Sequence, residues 1–142
     1  YRHFAVDFDG DGRRDILHNI VDVIGSVANY LHAHGWKRKQ AVSSRARTRG
    51  EKYKLLLSQD LKPRISLRRM ERYGVTPEDN LPGSDLATLI ALETVTGREY
   101  WIGLHNFYVI TRYNRSALYA MAIHQLSQKI LAERPAIKAS MD

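Results

Sequence analysis

Residues 86–104 read LATLIALETVTGREYWIGL. The runs 86–94 and 98–104 are rich in β-branched and aromatic residues and are joined around Thr96-Gly97, which predicts a β-hairpin. Upstream, Ile20, Ile24, Val27, Ala28 and Leu31 recur at helical spacing, and Gly35 stands where a glycine ends a helix. That predicts a helix over 20–34 with Asp22 in its first turn, where the helix dipole favours a carboxylate. Downstream, Leu118, Met121, Ala122, Leu126 and Ile130 predict an amphipathic helix over 116–133. Between helix and hairpin, 36–49 is basic and weakly strand-like, with Val42 and Ala46 inward. Residues 51–58 fit helix or strand, Ser66 is the N-cap of a two-turn helix stopped by Gly74, and 75–85 read as turns. This order predicts an α+β chain with a small sheet lobe between two helices of one core. Its segments are 1–35 with the loop and first helix, 36–104 as the β-rich lobe, 105–134 ending in the last helix, and 135–142 as a loose tail.

The chain has 142 residues and no cysteine, which excludes thiol nucleophiles, zinc–cysteine sites and redox switching. No run of 18 apolar residues and no signal-peptide pattern is present, and the first residue is Tyr1, so we expect a processed product or a fragment. The net charge is +7, and between Lys37 and Arg72 thirteen Lys and Arg face only Glu51, Asp60 and Glu71. Such a segment suits a solvated surface or an anionic partner: nucleic acid, glycan or membrane. Trp36, Tyr53 and Tyr73 are too sparse among these cations for a base-stacking platform, which speaks against nucleic acid.

Asp7-Phe8-Asp9-Gly10-Asp11-Gly12 matches the first half of the EF-hand signature. Carboxylates at alternate positions converge in a tight turn, glycine permits the reversal, and the Arg13 carbonyl adds a backbone oxygen. Three carboxylates this close repel one another unless a hard cation neutralises them, and this many oxygens suits structural calcium better than magnesium. The match then departs from the EF-hand: His18 stands where a bidentate glutamate belongs, and the nearest acids are Asp15 and Asp22. An enlarged loop closed by Asp22 would complete the shell; without a metal, the loop is a solvated acidic turn.

Residues 105–119 (HNFYVITRYNRSALY) gather Tyr108, Tyr113 and Tyr119 with Phe107, Asn106 and Asn114. Sugar sites use such mixtures of flat rings and amides, and so do loops packed on a core. Arg112 and Arg115 suit acids of the chain or the carboxylates of a ligand. No hydrolytic constellation appears: Glu51, Glu71, Glu78, Glu93, Glu99 and Glu133 all sit in polar or basic surroundings, and the six histidines lack metal-ligand spacing.

Three blocks in order, 5–12 (AVDFDGDG), 24–30 (IGSVANY) with Gly35-Trp36, and 106–114 (NFYVITRYN) with 119–122 (YAMA), resemble the membrane-bound lytic murein transglycosylase B family. The resemblance runs from Tyr1 to about Ala132, with a looser match over 39–85. It implies part of a lysozyme-like core with an antiparallel sheet lobe and an EF-hand-like calcium loop on Asp7, Asp9, Asp11, the Arg13 carbonyl and Asp22. It places glycan contacts on Tyr30, Tyr113, Asn114 and Tyr119, making 105–119 a cleft wall. The activity it implies is cleavage of the MurNAc-β-1,4-GlcNAc bond without water, giving 1,6-anhydro ends, by a single glutamate outside the usual two-carboxylate scheme. That glutamate is expected upstream of Tyr1, so no catalytic residue is assigned here and this piece alone is expected to be inactive. The expected setting is a periplasmic monomer on peptidoglycan strands, anchored to the outer membrane through a further N-terminal segment. A reading from another class stays open: a calcium-stabilised, non-catalytic module that binds peptidoglycan or another anionic polymer.

Overall fold

The computed structural model describes the backbone of residues 2–58 and 60–141 and the side chains of residues 3–58 and 60–133. The chain divides into two compact units, Tyr1–Gln40 and Ala41–Asp142.

In the first unit, helix α1 (Ile20–Ala33) forms as its periodicity predicts, and Asn19 caps it by accepting from the backbone N–H of Val21 (3.0 Å) and Asp22 (3.4 Å). The buried face of α1 is not the apolar one. Ile20, Ile24 and Val27 lie open to solvent, whereas Asp22, Gly25 and Ser26 are buried. With Asn29 these form the i, i+3, i+4, i+7 stripe on which segment 4–8 lies. The N–H of Phe8 donates to Asp22 Oδ1 (2.8 Å), that of Val6 to Ser26 Oγ (3.0 Å), and Asn29 Nδ2 to the Phe4 carbonyl (3.0 Å). Gly25 completes the fit, because a Cβ there would come within 2.6 Å of the Phe8 ring.

The second unit is built on a five-stranded antiparallel sheet. Its strands are β1 (Ser43–Thr48), β2 (Ile65–Ser66), β3 (Val75–Pro77), β4 (Leu86–Thr94) and β5 (Gly97–Gly103), in spatial order β2-β4-β5-β1-β3. The predicted hairpin is β4–β5, paired from Thr88↔Gly103 to Thr94↔Gly97. One side of the sheet carries Ala46, Ala87, Leu89 and Ile102 in a core with Leu56, Leu67, Met70 and Val75. These last come from a 3-10 turn (Lys52–Leu56), from helix α2 (Leu67–Glu71) and from β3. Ser66 caps α2 as expected, accepting from the N–H of Arg69 at 3.2 Å. On the other side Thr88, Ile90 and Phe107 of helix α3 (His105–Tyr113) converge around Gly103. Helix α4 (Ala117–Met141) ends the chain.

Three expectations need correction. Residues 75–85 are not all turn: Val75–Pro77 pair with Thr48–Ala46, a short strand that exists only through its partner. Residues 105–113, read only as a cleft segment or a core-packed loop, are a helix, with Asn106, Phe107, Val109, Ile110 and Thr111 buried at helical spacing. The stretch after Pro135 is not a loose tail, since the backbone of α4 continues to Met141. Proline removes one N–H and strains one turn, which good helix formers on both sides can bridge.

Candidate functional site

The acidic loop is a set of nested turns. Asp7 Oδ1 accepts from the N–H of Gly10 (2.7 Å) and Asp11 (3.1 Å), and its Oδ2 from Gly12 (2.8 Å). Asp9 Oδ1 accepts from the N–H of Asp11 (3.2 Å), and Asp11 Oδ1 from that of Arg13 (2.8 Å). Gly10 and Gly12 take φ of +78° and +88°, a conformation side chains resist, so that backbone amides can turn inward. The result gathers Asp7, Asp9 and Asp11, one oxygen of each lying within 4.8 Å of the others. Two oxygens on one calcium ion stand at most about 5 Å apart, so the three fit a single shell. Asp9 is held below the usual carboxylate range, chiefly by the Asn19 side-chain amide at 2.7 Å and then by the Asp11 N–H.

Asp22 lies outside this trio. Its carboxylate is fully buried and accepts from the N–H of Phe8 and of Asp15, both at 2.8 Å. It therefore closes the loop through hydrogen bonds to the backbone at both ends. His18 turns to Asp15, Nδ1 to Oδ1 at 3.4 Å, and the N–H groups of His18 and Leu17 hold Asp15 low. Asn19 was missed in the sequence reading, yet it joins loop to helix. Its signal was an asparagine directly before the first periodic apolar residue.

Tyr30 lies near the end of α1, its ring edge-on to Phe4 (5.1 Å) and stacked on His34 (4.0 Å). In the second unit, Tyr113 ends α3 and Asn114 leaves the helix with extended backbone. Asn114 Oδ1 accepts from the Ser116 N–H (3.1 Å), and Ser116 Oγ accepts from the Tyr119 N–H (3.2 Å) as α4 begins. This corner leaves Tyr113 52% and Tyr119 36% exposed, with Asn114 exposed between them. The other members of the aromatic segment separate from them. Phe107 and Asn106 are fully buried, and Tyr108 lies beneath Arg112, whose Nη1 donates to its hydroxyl at 3.2 Å.

No glutamate with a described partner stands in an apolar pocket. Glu51 pairs with Lys54, Glu78 with Arg47 (4.0 Å), Glu93 with Arg98 (2.6 Å), and Glu99 with Arg45 (3.5 Å) and the Trp101 indole N–H (3.1 Å). Through Arg45, Arg47 and Lys54 these pairs also take up part of the basic segment as surface ion pairs, which water screens. Among the described residues no helix is long and apolar enough to cross a membrane.

Residues 1–128 match the transglycosylase SLT domain. The chain belongs to this family. It is 42% identical over 134 residues to the membrane-bound lytic murein transglycosylase B of Escherichia coli K12, covering 94% of this chain and 36% of that protein. Soluble lytic transglycosylase SltB1 of Pseudomonas aeruginosa superposes with a TM-score of 0.86 at 42% identity, over 94% of this chain and 44% of that one. The E. coli lytic transglycosylase Slt35 in complex with calcium does so with a TM-score of 0.80, again at 42% identity, over 94% of this chain and 41% of that one. This transglycosylase SLT chain thus spans well under half the length of those relatives. The resemblance carried by its three sequence blocks and its α+β class both hold.

Proposed function

We propose that the chain is part of a peptidoglycan lytic transglycosylase that cleaves the MurNAc-β-1,4-GlcNAc bond and leaves a 1,6-anhydro-muramyl end. The observation that carries this reading is the α3–α4 corner: two solvent-facing tyrosine rings flank an asparagine in a chain 42% identical over 134 residues to a murein transglycosylase. Rings of this kind cover the apolar face of a pyranose, and the amide meets its hydroxyl or N-acetyl groups. Tyr113, Asn114 and Tyr119 are the glycan contacts of the second unit, and Tyr30 is that of the first. The acid that protonates the leaving oxygen, and then takes the proton of the muramyl 6-hydroxyl as it closes on C1, comes from outside residues 1–142. The periplasm is the compartment where this substrate lies, and a relative named as membrane-bound supports attachment to a membrane there, for which we take the outer membrane.

The test is Tyr113→Ala in the full-length enzyme. Losing the buried face of one ring is expected to lower kcat/KM on murein by roughly tenfold to hundredfold. Mass spectrometry of the products should show anhydro ends. Unchanged kinetics would remove Tyr113 from the glycan site, and murein binding without cleavage would favour the non-catalytic module.

Calcium belongs to the same reading, held by Asp7, Asp9, Asp11 and the Arg13 carbonyl, with Asp22 closing the loop, and it braces α1 beneath Tyr30. It is supported by the spacing of the three carboxylates and by the relative in complex with calcium. Calcium at about a hundred times its dissociation constant stabilises by about 2.7 kcal/mol, which raises Tm by several degrees. Asp9→Ala is expected to abolish that rise. Equal melting curves of the parent protein in calcium and in chelator would sink the metal assignment.

A further inference from the structure

Two cavities stand side by side in the second unit, sharing Leu61 and Arg115. The first, about 400 Å³, is walled by Leu57, Leu61, Ile90, Ala91 and Ala117. The second, about 320 Å³, is polar, with Tyr108, Thr111, Arg112 and Asp60 around it. Each falls at the small end of the range for ligand sites.

The charge in them is uneven. Asp60 is engaged by Arg64, whose Nε and Nη2 reach one carboxylate oxygen at 3.0 and 2.8 Å. Arg112 is held over the Tyr108 ring, 5.6 Å from its centroid. Arg115 has no ion-pair partner among the described residues and stands where the two cavities join. It stands two residues before the 25-residue α4, with Ser116 between, and the N-terminal dipole of that helix also favours an anion. The wall beside it is a strand edge. β4 pairs with β2 only at Leu86 and Ala87, and Leu57 bridges Leu89, so the outer edge at Ile90 and Ala91 has no strand partner among the described residues. An extended peptide can hydrogen-bond to such an edge.

A cation at the junction, a mainly apolar, open pocket on one side and an open strand edge describe a site for a short peptide with a carboxylate and small aliphatic side chains. We propose that this double cavity binds the peptide stem of murein, its carboxylate on Arg115 and its methyl-sized side chains against Ile90, Ala91 and Leu61. The proposal rests on the murein reading above and names a part of the substrate other than the sugar rings assigned to Tyr113, Asn114 and Tyr119.

The experiment uses the full-length enzyme on two substrates: peptide-bearing murein, and glycan strands stripped of peptide by an amidase but keeping the lactyl carboxylate. Arg115→Gln is expected to raise KM about tenfold on peptide-bearing murein, the effect of one charge-assisted contact, with kcat and the KM for stripped strands within about twofold. Arg115→Lys should recover part of the loss. Should Arg115→Gln melt early, Ala91→Glu sets a repelling charge in the pocket wall and should raise KM with the same selectivity. An equal rise on both substrates, or none on either, would overturn the peptide assignment, and the equal rise would point to the lactyl group. A parent enzyme that cleaves neither substrate would reject the murein reading itself, and this proposal with it.

Discussion

Asp22→Ala is expected to destabilise the first unit by roughly 3–5 kcal/mol, the largest loss from any change within the acidic loop and α1. The carboxylate is fully buried and accepts two backbone N–H groups at 2.8 Å, one from each arm of the loop. Truncation leaves both donors unmet, at about 1–3 kcal/mol each, and removes a negative charge from the first turn of α1, worth up to about 1 kcal/mol. Asp22→Asn separates the two contributions. An amide keeps one acceptor oxygen and the packing volume, so about half of the loss should remain. Denaturant melts of the full-length protein, read by a probe placed in residues 1–40, would decide it. A loss under about 1 kcal/mol for Asp22→Ala would mean that the loop closes without this carboxylate.

Phe107→Ala is expected to cost about 3–5 kcal/mol in the second unit, in the range for emptying a buried phenylalanine site. The ring is fully buried and lies over Gly103, where the Ile90 and Thr88 side chains also converge. The fit is close enough that a Cβ on Gly103 would lie 3.0 Å from the ring and 2.9 Å from Ile90. Phe107 faces the sheet, not the exposed corner, but it seats the helix that ends in Tyr113. Turnover of murein should therefore fall with stability, and Phe107→Leu should recover most of both. A stable Phe107→Ala protein with full activity would show that α3 is held by α4 alone.

The elements read correctly from the sequence are those made by near neighbours. The reversal at Gly10 and Gly12, the start of α1 at Ile20, the Ser66 cap and the β4–β5 hairpin each close over a few residues. Helix α3 was not legible. HNFYVITRY mixes β-branched and aromatic residues that suit a strand, and only the seating of Phe107 against Gly103 makes a helix the better burial. Strand β3 has three residues and no pattern of its own, so its pairing with β1 across 26 intervening residues is a tertiary event.

The site divides along the same line. Asp7, Asp9 and Asp11 were assignable because a turn brings alternate residues together by itself. Tyr113, Asn114 and Tyr119 were placed by resemblance, while their exposure at one corner depends on where α3 ends and α4 begins. The sequence alone determined the local turns, the Ser66 cap, the hairpin and the family, because these rest on residues a few positions apart or on matched blocks. Only the tertiary structure decided that α1 buries its polar stripe, that Asn106 and Phe107 belong to the core, and that Arg115 stands between two cavities. In each case a side chain's surroundings come from segments distant in the chain, and periodicity cannot report which face a remote partner will cover.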